Sequence, residues 1–207
     1  MLELREVTCI RGERTLFSDL SFSIEGSTVL RVGGANGTGK TSLLRIICGL
    51  MLPAHGEVHW QGESIRTVRE EYWKDLVYVG HLNAVKDDLT AAENLGIGAA
   101  LAGRSADSAE VFAALDMFGI AQCAPLPARV LSQGQRRRVA LARVVTCKAS
   151  PLWVLDEPFT ALDAAAVELM RQLIEAHVNA GGSAILTTHQ EVPLTVPVQR
   201  RVDLGTC

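Results

Sequence analysis

The pattern with the clearest chemical meaning is a glycine-rich run near the start of the chain. Residues 34–41 read Gly-Ala-Asn-Gly-Thr-Gly-Lys-Thr and fit G-x-x-x-x-G-K-[ST]. Glycines let successive backbone N–H groups turn inward around phosphate oxygens, and the positive end of a following helix adds to the attraction. Lys40 is expected to reach the β- and γ-phosphates of a nucleotide, and the Thr41 hydroxyl to bind Mg²⁺. The predicted phosphate-binding loop comprises Gly34, Ala35, Asn36, Gly37, Thr38, Gly39, Lys40, Thr41 and Ser42.

A second candidate site follows the apolar run of residues 152–155, which ends in Asp156 and Glu157. A buried strand there would deliver both carboxylates to its C-terminal edge, where the ligand sites of α/β sheets lie. Because adjacent residues on a strand point to opposite faces, the two side chains are expected to have different roles. Asp156 is expected to hold Mg²⁺, and Glu157 to polarise the attacking water as general base. An ordinary acidic strand end is the alternative, which the nearby phosphate loop disfavours.

These residues require a sheet to position them, and the hydrophobic pattern predicts one. Strand patterns lie at residues 2–7, 20–24, 29–32, 57–60, 76–79, 152–155, 184–187 and 201–204. Helix patterns lie at residues 40–50, 91–101, 109–118, 135–146 and 164–180. The alternation predicts an α/β fold with a mostly parallel core sheet, and the strand-rich start predicts an antiparallel β flap. Residues 87–128 lack a strand pattern and predict a small helical subdomain within one domain of residues 1–207.

The composition argues against several classes of protein. Lys and Arg number 20 against 23 Asp and Glu, and the net charge of −3 offers no field for a polyanion, so nucleic acid is not an expected partner. The five cysteines form no CxxC pair, which favours reduced thiols over a disulfide framework or a zinc site. No stretch approaches the roughly 20 apolar residues of a membrane span, so a partner would have to carry the chain to a membrane. Three consecutive arginines, residues 136–138, are assigned to a phosphate-facing interface.

Residues 131–135, Leu-Ser-Gln-Gly-Gln, resemble the LSGGQ signature of ATP-binding-cassette proteins, with glutamine in third place. Residues 161–163 resemble the D-loop of that family, and His189 resembles its switch histidine. The resemblance extends over residues 2–189 and implies a P-loop nucleoside triphosphatase that hydrolyses ATP with Mg²⁺. It also implies that two cassettes face head to tail, so that Ser132 and Gly134 of one close on the γ-phosphate held by the other. His189 would contact that phosphate and Glu157.

Longer strings at residues 36–45, 137–143 and 151–163 are similar to the haem-export ATPase subunits of cytochrome c biogenesis. This resemblance implies a peripheral motor subunit on the cytoplasmic face of a bacterial inner membrane. Its partners would be a second cassette, most simply another copy of the chain, and integral membrane transporter subunits. Haem would concern this chain only indirectly, since the sequence contains no CxxCH attachment site. The alternatives are another transporter, a cassette ATPase outside transport, and a P-loop kinase, which the signature and Glu157 disfavour.

Two positions depart from the cassette pattern. Most cassettes place an aromatic residue before the phosphate loop to stack on adenine, whereas residues 8–14 contain none. Arg11 falls closest, and its guanidinium plane is either a substitute for the aromatic ring or an exposed arginine in a turn. Where a glutamine usually follows the strand at residues 76–79, this chain has Gly80, His81 and Leu82. Either His81 substitutes for the glutamine, or Leu82 holds its place and the contact is missing.

Overall fold

The computed structural model describes residues 1–205, which form two β-sheets and six α-helices. The strands are β1 Leu2–Arg11, β2 Arg14–Ile24, β3 Thr28–Gly33, β4 His55–Trp60, β5 Glu63–Ser64, β6 Leu76–Val79, β7 Leu152–Asp156, β8 Ser183–Thr187 and β9 Val198–Asp203. The helices are α1 Lys40–Ile47, α2 Arg69–Lys74, α3 Ala91–Leu101, α4 Ser108–Met117, α5 Gln133–Thr146 and α6 Ala164–Asn179. The sequence patterns predicted all of these elements except β5 and α2.

The larger sheet has the strand order β6-β7-β8-β3-β9, and every neighbouring pair in it is parallel. All residues of β7 and β8 are buried, because helices cover both faces of a sheet of this kind. The prediction of an α/β fold with a parallel core is therefore confirmed. Because the strands run the same way, the segments that follow β3, β6, β7 and β8 all emerge at one edge.

The smaller sheet has the order β2-β1-β4-β5, and its strands pair antiparallel, which confirms the predicted flap. Strands β1 and β2 are longer than the patterns indicated, and they meet at a tight turn containing Gly12, where φ is +62°. Register shifts in β1 interrupt its hydrophobic alternation after Leu4, which is why the pattern alone ended the strand at residue 7. The longer strand carries Arg11 to the end of the flap.

The segment at residues 87–128 contains α3, α4 and a short 3₁₀ helix joined by turns and irregular stretches, with no strand but an isolated bridge between Thr90 and Pro127. Helices α3 and α4 each begin with a capping box, in which Thr90 pairs with Glu93 and Asp107 pairs with Glu110. Their buried faces pack on α5 and continue into the core on one face of the parallel sheet. The helical content agrees with the expected helical subdomain. That this segment forms a subdomain distinct from the rest of the chain stays a prediction.

Helix α1 ends earlier than predicted, at Ile47 rather than residue 50. Gly49 adopts a left-handed φ of +67°, and its N–H donates to the carbonyl of Ile46, so the chain leaves the helix there. This early end orients the exposed Leu50 away from the core.

The cysteines were expected to be reduced thiols. Cys9, Cys48, Cys123 and Cys147 are buried free thiols, whereas Cys207 lies outside the described residues. Burial raises the pKa of the Cys48 thiol well above its ordinary value and keeps it protonated.

Across residues 1–205, no helix has the length and apolar character needed to cross a membrane.

Candidate nucleotide-binding site

A cleft of about 590 Å³ opens at the edge of the parallel sheet where the phosphate loop and the carboxylates lie. Its volume falls within the roughly 300–1,000 Å³ typical of small-molecule sites. The predicted residues that line it are Arg11, Asn36, Gly37, Gly39, Lys40, Thr41, Ser42, Asp156, Glu157 and His189. Leu16, His81, Thr160 and Gln190 complete the lining. The structure therefore brings most of the predicted site together, while Gly34, Ala35 and Thr38 belong to the loop behind the cleft surface.

The phosphate loop connects β3 to α1 and depends on glycine at several positions. Gly34, Gly37 and Gly39 all have positive φ values, of +130°, +82° and +101°. A Cβ on Gly39 would lie 3.0 Å from the Cβ of Leu16, so there is little space for a side chain. A residue with a Cβ would also be strained by the positive φ at this position. The buried Thr38 hydroxyl donates to the Ala35 carbonyl at 2.9 Å and fixes the turn. Together these features hold the loop open around the N-terminus of α1.

The ammonium group of Lys40 lies across this loop. Its Nζ donates to the carbonyl oxygens of Gly34 at 2.7 Å and Ala35 at 3.1 Å. Lys40 also lines the cleft, so its ammonium group lies beside the space that an anion would occupy. A lysine has the flexible stem and the point charge that phosphate binding requires.

Asp156 is held on both carboxylate oxygens. The Thr41 hydroxyl donates to Oδ2 at 2.8 Å, and the Thr187 hydroxyl donates to Oδ1 at 2.7 Å. Asp156 is only 2% exposed and ends β7 directly beside Thr187, which ends β8. The sequence analysis missed Thr187, although its place at the end of the neighbouring strand was a usable signal. The two hydroxyls fix the direction in which the carboxylate faces.

The orientation of the Glu157 side chain differs from the one that strand alternation predicts. Strict alternation along a strand would send Asp156 and Glu157 to opposite faces, but β7 ends at Asp156 and both side chains line the same cleft. Glu157 has a left-handed φ of +52°, and this turn redirects its side chain. Such a conformation costs about 1–3 kcal/mol for a residue with a Cβ. Strict alternation therefore does not hold at Glu157, while the expectation that the two carboxylates have different roles stays a prediction.

The Glu157 carboxylate contacts the segment after β8. Its Oε2 accepts the backbone N–H of His189 at 3.3 Å and the Thr160 hydroxyl at 3.4 Å. Its Oε1 lies 3.5 Å from Nε2 of His189 and is buried, with no hydrogen-bond partner among residues 1–205. A buried carboxylate oxygen is rarely left without a donor, because its desolvation is then not compensated. A group in the cleft can reach this oxygen only if the side chain of Glu157 or His189 moves.

Arg137, which was not predicted as a site residue, lies behind the carboxylates and is only 4% exposed. Its guanidinium donates to backbone oxygens of Gly80, Asp156 and Glu157. The neighbouring arginines are also paired within the chain, Arg136 with Asp87 and Arg138 with the carbonyl of Phe118. Arg137 therefore cannot serve the phosphate-facing interface expected for the triplet, whereas for Arg136 and Arg138 that role stays a prediction. A run of three charges gave no sign that its middle member was buried.

The signature residues do not join this cleft. Ser132 caps α5: its hydroxyl accepts the Gln135 N–H at 3.2 Å, and the Gln135 side chain accepts the Ser132 N–H at 2.9 Å. Ser132 is exposed, and Gly134 lies where a Cβ would be 3.7 Å from the Ala161 carbonyl oxygen. The start of α5 is thus a capped helix terminus with an exposed Ser132, and neither Ser132 nor Gly134 lines the cleft at the chain's own phosphate loop.

The two departures from the cassette pattern have distinct positions. Arg11 is exposed at the rim of the cleft, which agrees with a base-stacking role but does not test it. His81 lines the cleft, whereas Leu82 is 75% exposed and lines a different groove. Of the two alternatives for this loop, His81 holds the position facing the nucleotide cleft.

The site consists of a strand, a glycine-rich loop and a helix, which place a lysine and a threonine beside two carboxylates. This combination defines a P-loop nucleoside triphosphatase. A family model described as ABC transporter matches residues 17–160, so the chain belongs to the ABC transporter family. The protein from Nitrosomonas europaea named Cytochrome c biogenesis ATP-binding export protein CcmA is 53% identical to this chain, over 98% of this chain and 95% of that protein. The protein of the same name from Nitrosospira multiformis is 50% identical to this chain, over 98% of each protein. A dimeric structure of a post-hydrolysis state of an ATP-binding cassette bound to ADP and Pi superposes with a TM-score of 0.82 at 25% identity, over 92% of this chain and 88% of that one. The chain is an ATPase of the ATP-binding-cassette type.

Proposed function

We propose that this chain is the ATP-hydrolysing motor of a membrane complex of cytochrome c biogenesis, where it works as a pair of cassettes. The observation that carries the proposal is the identity of about half of all residues with CcmA export proteins over nearly the whole length of each chain. In this proposal the chain binds peripherally to the cytoplasmic face of a bacterial inner membrane. The membrane subunits of the complex handle haem, and this chain supplies the work of ATP hydrolysis.

The cleft fits MgATP as its substrate. Thr41 and Asp156 present a hydroxyl and a carboxylate oxygen 2.8 Å apart beside the phosphate loop. These are the hard oxygen donors that Mg²⁺ prefers, and Mg²⁺ commonly combines one or two protein ligands with phosphate oxygens and water. When bound, the ion neutralises charge on the β- and γ-phosphates. Lys40 exchanges its loop carbonyls for phosphate oxygens, and the N–H groups of the loop enclose the rest.

Hydrolysis in this cleft requires a base that faces the γ-phosphate, and Glu157 is placed for that role. His189 and Thr160 hold Oε2, and a rotation of the exposed His189 ring would uncover the buried Oε1, which could then accept a proton from the attacking water. The His189 ring lies beside Oε1 and is more than half exposed, so it can also meet the γ-phosphate. In this proposal His189 orients the base and responds to the presence of the phosphate.

A second cassette is needed to complete the site. Ser132 and Gly134 lie outside the cleft of their own chain, while the exposed start of α5 can bind an anion held elsewhere. A head-to-tail pair brings this helix terminus to the partner's γ-phosphate. The dimeric structure of the related cassette supports the arrangement.

The membrane subunits are proposed to bind a groove of about 450 Å³ between the parallel sheet and the helical segment. Its rim presents Leu82 and Leu101, which are 75% and 84% exposed, together with Leu50 and Trp73. Clustered apolar side chains of this size on a surface usually mark a protein interface. The occupant in this proposal is a helix of a membrane subunit that inserts apolar side chains between Leu82 and Leu101.

A test of the biological role replaces the chromosomal copy by a Glu157→Gln variant in the source bacterium. Haem staining of membrane proteins should show that c-type cytochromes are lost, because the export motor cannot turn over. Haem-containing proteins of the b type should stay at normal levels and serve as the internal control. Normal c-type cytochromes in this strain would contradict the proposal, provided that the purified variant has lost its ATPase activity.

A test of the groove compares Leu82→Glu and Leu101→Glu with Phe112→Glu, an α4 residue that is 53% exposed and lies outside the groove. Co-expressed membrane subunits should retain about 10- to 100-fold less of the groove variants, since each loses roughly 1.5–3 kcal/mol of apolar burial. The Phe112 variant should co-purify as the wild type does. The ATPase activity of the isolated chains should be unchanged in all three. Wild-type retention of both groove variants would contradict this docking surface.

A further inference from the structure

We propose that Arg137 is a positioning residue for ATP hydrolysis, which holds the backbone of Glu157 and the loop at Gly80 in the arrangement that aims the base. The inference rests on the role of Glu157 as the general base proposed above. It assigns to Arg137 no contact with the nucleotide, because the side chain lies behind the cleft and does not line it.

The guanidinium of Arg137 joins two loops that follow neighbouring strands of the parallel sheet. Its Nη1 donates to the carbonyl of Gly80 at 2.8 Å and to Oδ1 of Asn83 at 3.2 Å, both after β6. Its Nη2 donates to the carbonyls of Asp156 at 2.9 Å and Glu157 at 2.6 Å, at the end of β7. The planar fork of an arginine can serve both loops at once, whereas a single ammonium group cannot.

The contact with Glu157 matters because that residue holds an unfavourable backbone conformation. Its φ of +52° must be maintained by the surroundings. The N–H of Glu157 donates to the Thr187 hydroxyl at 2.9 Å, and its carbonyl accepts Arg137. Removing Arg137 would leave the Glu157 carbonyl with the longer bond from the Thr160 N–H, at 3.2 Å, and would make it easier for the backbone to relax toward negative φ. The carboxylate would then leave the position that Thr160 and His189 define.

The cost of burying Arg137 argues that it does more than fill space. All four of its acceptors are neutral oxygens, so no carboxylate in the described part of the chain forms an ion pair with it. Burial lowers the pKa of the Arg137 guanidinium, and the nearby charges of Asp156 and Glu157 counteract the effect. A charge buried without a paired side chain is expensive, and a neutral residue of similar length would avoid that expense. What a neutral residue cannot supply is the donor fork between the two loops.

The test measures kcat, the KM for ATP and equilibrium ATP binding in Arg137→Met, Arg137→Lys and Arg200→Met. Arg200 is the matched control, since its guanidinium also donates to a backbone carbonyl, that of Ser23, but is exposed and lies outside the cleft and the groove. Arg137→Met should lower kcat by about 10²-fold, because a base displaced by about 1 Å loses that much. Its KM and ATP binding should stay close to those of the wild type. Arg137→Lys should give an intermediate kcat, and Arg200→Met should leave all three quantities unchanged.

The double variant Arg137→Met/Glu157→Gln separates a positioning role from a general structural one. If Arg137 acts through Glu157, the double variant should be no slower than Glu157→Gln alone. A wild-type kcat in Arg137→Met, a parallel loss of ATP binding, or additive losses in the double variant would each overturn the proposal. Should Arg137→Met fail to fold, Arg137→Lys decides, because a wild-type kcat there also overturns it. Full activity of Glu157→Gln would instead overturn the assignment of the base.

Discussion

Glu157→Gln should lower kcat for ATP hydrolysis by about 10²- to 10⁴-fold, which corresponds to about 3–5 kcal/mol in the activation barrier. The amide keeps the shape of the side chain but cannot accept the proton of the attacking water. It also removes a negative charge next to the γ-phosphate, so ATP should bind and two cassettes should stay closed around it. Steady-state turnover measures the first effect, and light scattering with MgATP measures the persistence of the dimer.

Lys40→Ala provides the contrast, because Lys40 lies among the loop carbonyls and reaches phosphate rather than water. This variant should weaken ATP binding itself, and its ATP-dependent dimer should diminish where that of the glutamine variant persists or grows. Equal dimerisation in the two variants would contradict the division of roles between them. Substantial hydrolysis by Glu157→Gln would show that another group accepts the proton.

Ser132→Arg should reduce hydrolysis by at least about 10²-fold while each chain still binds one ATP at its own phosphate loop. The reason is that Ser132 lies outside the cleft of its own chain and caps the exposed start of α5. Nucleotide titration and steady-state turnover test the two halves of this prediction. Gln122→Arg places the same charge on another exposed position and should leave turnover unchanged.

A control is needed because Ser132 also stabilises α5, and losing an N-cap costs about 0.5–2 kcal/mol. Ser132→Asp keeps a good capping residue while placing a negative charge against the partner's γ-phosphate. It should therefore melt near the wild-type temperature and still fail to hydrolyse ATP. Wild-type turnover in both Ser132 variants would exclude the head-to-tail pair.

The regular elements of the fold could be predicted because their signals extend over many residues. The apolar runs of β7 and β8 and the periodic face of the 16-residue α6 are long enough to show their type. Strand β5 has two residues and α2 has six, which is too short for a period to emerge. The phosphate loop was predictable for a different reason, since its chemistry requires glycine at fixed spacings.

The parts of the site that could not be predicted depend on contacts between distant segments. Glu157 faces the cleft because of a backbone turn, and the hydrophobic pattern of β7 carries no information about that turn. Thr187 contacts Asp156 only because β8 lies beside β7, a pairing fixed by the whole sheet. Arginine is a residue type that usually lies at the surface, and Arg137 is buried only because α5 packs against the sheet. Residue type thus indicated the chemistry, and tertiary packing determined which groups orient it.

Three consecutive residues after β6 belong to three different environments. The Gly80 carbonyl binds Arg137 in the interior, His81 lines the nucleotide cleft, and Leu82 lies in the proposed docking groove. An insertion or deletion here would exchange these environments, so the length of the loop is constrained even though it lies at the surface. If the proposed docking is right, a substitution at residue 82 would change the binding of a membrane subunit while the neighbouring His81 keeps its place in the cleft. The binding of a partner and the hydrolysis of ATP would then be separable within two adjacent residues.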